Sequence, residues 1–265
     1  MASKKFDYKK YIIPLVCVLV YIFMMYFLSD YISLLIANIT RKSMGLTKEY
    51  LMEFKNLEFS QFPDNVKKYY TTASAIGNLV IYILLFILFV TLYRKSFKDD
   101  FNELQNNSGK IAKYIPLGFL LAFSLQMIFS IFTSPLLKDR VSENQQQINA
   151  ILFSSSSNGI MMIIAAVIFG PVVEEIIFRK SIFKIIPNDY LAIAISSILF
   201  GLIHTITSGY SFTQLILHTI PYAACGVGLG YAYFKSNRNI YVPITIHMLM
   251  NCFSTIVLIL TSINQ

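Results

Sequence analysis

The chain has 265 residues, of which 55% are hydrophobic and only 14% charged, and its mean hydropathy is +0.59. A soluble domain is about a quarter charged, so a water-soluble globular enzyme is set aside in favour of an all-α polytopic membrane protein. The net charge of +8 sits in loop lysines and reads as topology and lipid-headgroup contact, with no nucleic-acid partner.

Seven spans are predicted. The N-terminal stretch MASKKFDYKK precedes an apolar run too long for a signal-peptide core and without a clear small-residue cleavage site, so it reads as an uncleaved first span, about Tyr11 to Ile36. Asp30 is expected to end the hydrophobic part of that span or to face a neighbouring polar group. The second span covers about Ala75 to Tyr93 and the third about Ile115 to Leu136. The polar segment SENQQQINAILFSSSSNG then reads as an external loop. The fourth span, about Asn158 to Ile186, is long enough to tilt or break, and Gly170-Pro171 is the expected break. The fifth runs from Asp189 to Ile206, the sixth from Phe212 to Phe234 and the seventh from Ile240 to Leu260. Gly226 and Gly230 form a G-x-x-x-G in the sixth span, read as close helix packing. Cys17, Cys225 and Cys252 all fall in spans with no C-x-x-C, so buried thiols are expected. Tyr11, Tyr69 and Tyr70 fit an interfacial belt in a chain without Trp. Two regions are expected: 1–150, three spans with a long first loop, and 151–265, a core of four spans that holds the chemistry.

Lysine and arginine orient the bundle. Four lie in the N-terminal tail, five after the second span, three around the end of the fourth and two after the sixth, fourteen in all, against eight on the other side. The fourteen-side is expected to be cytoplasmic, placing the N-terminus inside and the C-terminus outside.

Ionisable groups within a span are costly and by default mark function or a buried pair. Three spans carry polar groups one helical turn apart, hence on one face: Glu175 with Arg179, Phe200 with His204, and His247 with Asn251. Glu175 and Arg179 can neutralise one another. Glu174, about 100° around the helix, has no counter-ion nearby in sequence and suits a general base. Counted from the fourteen-side at ~1.5 Å per residue, Glu174 and His204 lie ~20 and ~22 Å deep, and His247 and Asn251 ~12 and ~18 Å. All four therefore share one slab. His218 matches no such pattern and is expected to pack or hydrogen-bond within the bundle.

The order E-E-x-x-x-R, F-x-x-x-H and H-x-x-x-N, carried by Glu174-Glu175-Arg179, Phe200-His204 and His247-Asn251 over about residues 160 to 255, resembles the CAAX protease and bacteriocin-processing (CPBP, Abi) family of intramembrane endopeptidases, which includes the type II CAAX prenyl endopeptidases. The resemblance implies water activated by Glu174 and His204, an oxyanion held by His247 and Asn251, and positioning by Glu175, Arg179 and Phe200. It also implies a conical cavity open to cytoplasm and lipid. No cofactor is expected. The alternative is a zinc ion on Glu174, His204 and His247, although the one-helix H-E-x-x-H pattern is absent. The expected partners are the bilayer and a peptide or protein substrate at the cytoplasmic membrane face, lipid-modified or amphipathic. The location is a bacterial cytoplasmic membrane, since Ile, Lys, Asn and Phe are abundant. Peptide-pheromone or bacteriocin processing, or self-immunity, is the cellular role to which this points. Two rivals belong to other classes: a non-proteolytic scaffold for a sensor kinase or cell-wall hydrolase, and an ion path through Glu174, Glu175 and Arg179. The second is disfavoured because the polar groups gather at one depth.

Overall fold

The computed structural model describes residues 9–137, 141–206 and 209–263, and among these no strand occurs. The longer helices are α1 (Tyr11–Ser43), α2 (Asp64–Asn106), α3 (Ser108–Leu136), α4 (Glu143–Leu152), α5 (Ser156–Ile185), α6 (Asp189–Ile203), α7 (Phe212–Lys235) and α8 (Tyr241–Ile263). Six of them, all except α4 and α6, are long and apolar enough to cross a membrane. The remaining expected span is α6, whose 15 residues extend about 22 Å, short of a hydrocarbon core about 30 Å thick. By contrast α2, with 43 residues, is roughly 65 Å long and projects well past its apolar part. Asp30 lies within α1. It is exposed, just after a π-helical turn at Met24–Leu28, and the helix continues to Ser43.

Side-chain caps set where several helices begin. Ser142 accepts from Gln145 N at α4, Ser155 from Asn158 N at α5, Asn188 from Leu191 N at α6 and Ser211 from Gln214 N at α7. Each satisfies one of the amides that a helix start leaves unpaired. The segment expected to be an external loop is therefore largely helical. Its first residues, Ser142-Glu143-Asn144-Gln145, carry a cap and an early acidic group, which polarity alone does not distinguish from a loop.

The bundle has two ends. The lower end carries the start of α1 and the α2–α3, α5–α6 and α7–α8 turns. The upper end carries the 44–63 connection, α4 and the α6–α7 connection. The lower end is tied by Lys180 to Asp100, by Arg238 to Asp189 and by the Ile240 amide, which donates to Asp100 Oδ2. One apolar core runs through both halves of the chain, from Cys17, Leu85 and Phe89 to Val173, Phe183, Leu229 and Ile246. Cys17 and Cys225 are buried as expected, but Cys252 is exposed on the outer face of α8. Membership of an apolar span does not distinguish the core face from the lipid face.

Helix α7 lies between α3 and α6, and its glycines permit this. A Cβ at Gly226 or Gly230 would face Ser197 or Ile193 of α6, whereas one at Gly228 would stand 2.4 Å from Ala122 Cα in α3. The expected packing motif, Gly226 with Gly230, thus serves α6, and Gly228 between them serves α3 from the opposite face. Gly228→Val should cost at least the ~1–3 kcal/mol typical of overpacking, because the obstructing atoms are backbone. A lowered thermal midpoint in detergent would report it, with Gly109→Ala, which meets nothing within 4 Å, as the unaffected control.

Candidate active site

Helix α5 supplies the carboxylates. Its predicted break at Gly170-Pro171 does not occur: the helix continues, with a π-helical turn at Ile164–Phe169 directly before the pair and another at Ile176–Ser181. A proline inside a helix removes one amide donor and crowds the preceding turn, and a π turn is a usual place for such a conflict to be absorbed. The Gly170 amide donates to Ala165 O in this wider register. The next amide in the series would serve Ala166 O, but residue 171 is proline and has none. Asn251 Nδ2 donates to Ala166 O instead, at 2.8 Å.

Glu174 is buried, 4% exposed. Tyr82 of α2 donates its hydroxyl to Oε1 at 3.0 Å. Oε2 faces two imidazoles, His204 Nε2 at 3.9 Å and His247 Nε2 at 3.8 Å. Both spacings exceed a direct hydrogen bond and suit one bridging water. Glu175, fully buried, is held on both oxygens: Oε1 is 3.0 Å from His247 Nδ1 and Oε2 is 3.2 Å from Arg179 Nε. The second contact is an ion pair without hydrogen-bond alignment. Arg179 Nη2 donates to Gly226 O at 3.3 Å, and its guanidinium lies over the Phe200 ring. Because the carboxylate of an ion pair only accepts, His247 Nδ1 carries the proton in that bond, which turns Nε2 towards Glu174.

Phe200 separates the two imidazoles, meeting His204 and His247 edge-on at centroid distances of 5.0 and 5.5 Å. His204 is the first residue after α6, and its other side lies against the Tyr222 ring at 4.7 Å. Tyr222 is hydrogen-bonded through its hydroxyl to Ser142 Oγ, the cap of α4, at 2.8 Å. His218 is buried against the Tyr210 ring, in keeping with a packing role.

These groups line a cavity of about 250 Å³. Its charged and imidazole groups lie at one end. From there Asn78, Gln126, Asn144, Gln147, Ser254 and Thr255 line its way towards the upper end. The cavity and the cation count therefore disagree with the expected pairing of a cytoplasmic opening with a cytoplasmic fourteen-side: the cavity extends away from the lower end, where most of the cations lie. The expectation of the opening came from resemblance and that of the cations from this chain's residues, so nothing tied the two together.

All seven residues singled out from the sequence converge here. Sequence reasoning missed Tyr82, Tyr222 and the α4 wall. Tyr82 sits in an ordinary apolar run, 92 positions from its partner, and no local spacing marks it. Tyr82→Phe should lower kcat by about ten- to a hundredfold, because a hydrogen bond to a charged group contributes about 1.5–3 kcal/mol. Steady-state kinetics on a cleavable peptide would show this as a fall in kcat with little change in KM.

Among the described residues no group of three His, Cys, Asp or Glu is arranged to hold a metal ion. Tetrahedral zinc, with ligands at about 2.0–2.2 Å, would draw Glu174, His204 and His247 closer than 3.8–3.9 Å. The set as it stands does not fit, and no step is routed through a metal.

Residues 156–253 match the family described as type II CAAX prenyl endopeptidase Rce1-like. The chain is 31% identical over 189 residues to YdiL of Bacillus subtilis, named for a membrane peptidase, covering 69% of this chain and 72% of that one. It is 32% identical over 154 residues to the membrane-embedded CAAX protease MroQ of Staphylococcus aureus, covering 54% and 58%. It is 39% identical over 74 residues to the UPF0177 protein YajF of Lactococcus lactis, covering 28% and 34%. No solved structure matches the chain. A multi-pass helical bundle with these relatives is a bacterial membrane peptidase. The chain belongs to the Rce1-like type II CAAX prenyl endopeptidase family.

Proposed function

We propose that the protein is an endopeptidase that hydrolyses a peptide bond of a membrane-associated or lipid-modified peptide or protein, with Glu174 as general base. The observation that carries this reading is the placement of Glu174 Oε2 opposite two imidazole Nε2 atoms from two other helices, at 3.8 and 3.9 Å. A water between them can be aligned by His204 while Glu174 takes its proton. The water oxygen bonds to the carbonyl carbon. The proton then passes from Glu174 to the leaving nitrogen, and the C–N bond breaks to give a carboxyl and an amine. Asn251 keeps one amide hydrogen beyond the one engaged by Ala166 O, available to the developing oxyanion. His247 joins it as a donor from Nε2 only when both its ring nitrogens are protonated, since its Nδ1 proton is directed to Glu175. Glu175, Arg179 and Phe200 position the two imidazoles.

The processing of a peptide pheromone or bacteriocin, or self-immunity, is the cellular role this chemistry suits. The name of the Staphylococcus aureus relative, a CAAX protease, supports the peptidase part alone. The test is incubation of the purified full chain with candidate membrane peptides, with and without chelator, beside His204→Ala, with fragments identified by mass spectrometry. Chelator-insensitive cleavage that is lost in His204→Ala is the expected result. Loss with chelator and recovery with zinc would put a metal on Glu174, His204 and His247. A folded His204→Ala protein with full cellular activity would favour the scaffold reading over proteolysis.

A further inference from the structure

The direction of the cavity and the distribution of cations together say which side of the membrane supplies the substrate. Along every helix the cavity stops short of the lower end. Its last lining residue in α5 is Glu174 and in α7 Cys225; its first in α6 is Phe200 and in α8 His247. Roughly 9–16 Å of packed helix, at ~1.5 Å per residue, lies between these residues and the lower turns. That floor is closed by the Lys180–Asp100 and Arg238–Asp189 pairs and the Asp100 contacts of the α7–α8 turn. In the other direction the lining continues to Asn144 and Gln147 of α4 and to Leu258 near the end of α8.

Cations follow the opposite gradient. Among the described residues, twelve Lys and Arg belong to lower-end segments. Arg179 and Lys180 are buried in ion pairs inside the bundle. Leaving these two out, ten remain against six at the upper end among the described residues. Segments around the cavity's upper reach, residues 141–158, 209–212 and 258–263, contain no Lys or Arg. Excess Lys and Arg in short connections mark the cytoplasmic side.

We propose that the lower end is cytoplasmic and that the catalytic cavity opens on the extracytoplasmic side, so that the peptide approaches Glu174 from the outer leaflet beneath α4. The approach is lined by neutral amides and hydroxyls, Asn78, Gln126, Asn144, Gln147, Ser254 and Thr255. Such groups both donate and accept, which matches an extended peptide main chain. Because peptides are made in the cytoplasm, the reaction that supplies this substrate is a translocation, and cleavage follows export. The word substrate rests on the peptidase reading above; the sidedness does not.

Cysteine labelling of the full chain in intact bacterial cells tests the sidedness without any substrate. In a Cys252→Ala background, Ser156→Cys at the start of α5 and Gln146→Cys on α4 report the upper end. Ser108→Cys reports the lower end. All three positions are exposed. A membrane-impermeant maleimide should label Ser156→Cys and Gln146→Cys on intact cells, and Ser108→Cys only after lysis. Labelling of Ser108→Cys on intact cells, or protection of both upper positions until lysis, overturns the proposal. Either result leaves detergent-solubilised peptidase activity as it was, so failure here is distinct from failure of the hydrolytic mechanism.

Discussion

Glu174→Gln is expected to abolish detectable peptide cleavage while the protein stays folded. The amide keeps the shape of the side chain and can still accept the Tyr82 hydroxyl at 3.0 Å, but it cannot take a proton from water. Losing a general base costs about 10²–10⁴ in rate, and two imidazoles 3.8 and 3.9 Å away have no carboxylate left to work with. The fall should appear in kcat. Thermal midpoints in detergent should be nearly equal, because Glu174 forms no Arg or Lys ion pair among the described residues. A folded Glu174→Gln protein that cleaves at the wild-type rate would remove Glu174 from the mechanism.

Arg179→Ala should instead act on stability. Arg179 and Glu175 are both fully buried, and removing one partner strands a charge in a low-dielectric interior at about 3–5 kcal/mol. The guanidinium also touches Gly226 O and the Phe200 ring, so α6 and α7 lose contacts as well. Little folded protein is expected, with a strongly lowered thermal midpoint. The double variant Glu175→Leu/Arg179→Met, which replaces both charges by apolar groups, should recover much of the stability. It should not recover activity, since His247 Nδ1 loses its acceptor. Equal midpoints for wild type and Arg179→Ala would mean that water reaches the pair.

Much of this protein was legible in its sequence. Apolar runs marked every long helix because lipid demands apolar faces and internally satisfied backbone. The four-residue spacings marked the site because residues one turn apart share a helix face, which holds for Glu175–Arg179 and for Phe200–His204 whatever else surrounds them. Tertiary structure alone decided the rest. Tyr82 reaches Glu174 across 92 positions, and Tyr222 links His204 to the cap of a helix that polarity had suggested was a loop. The amide of Asn251 fills in for the donor that Pro171 lacks, on a carbonyl of another helix. Whether a thiol in a span faces core or lipid, as with Cys225 and Cys252, was likewise undetermined until the helices met. Local periodicity records which face of a helix is polar, whereas the neighbour that face meets depends on how all the helices pack together, and no short stretch of chain contains that information.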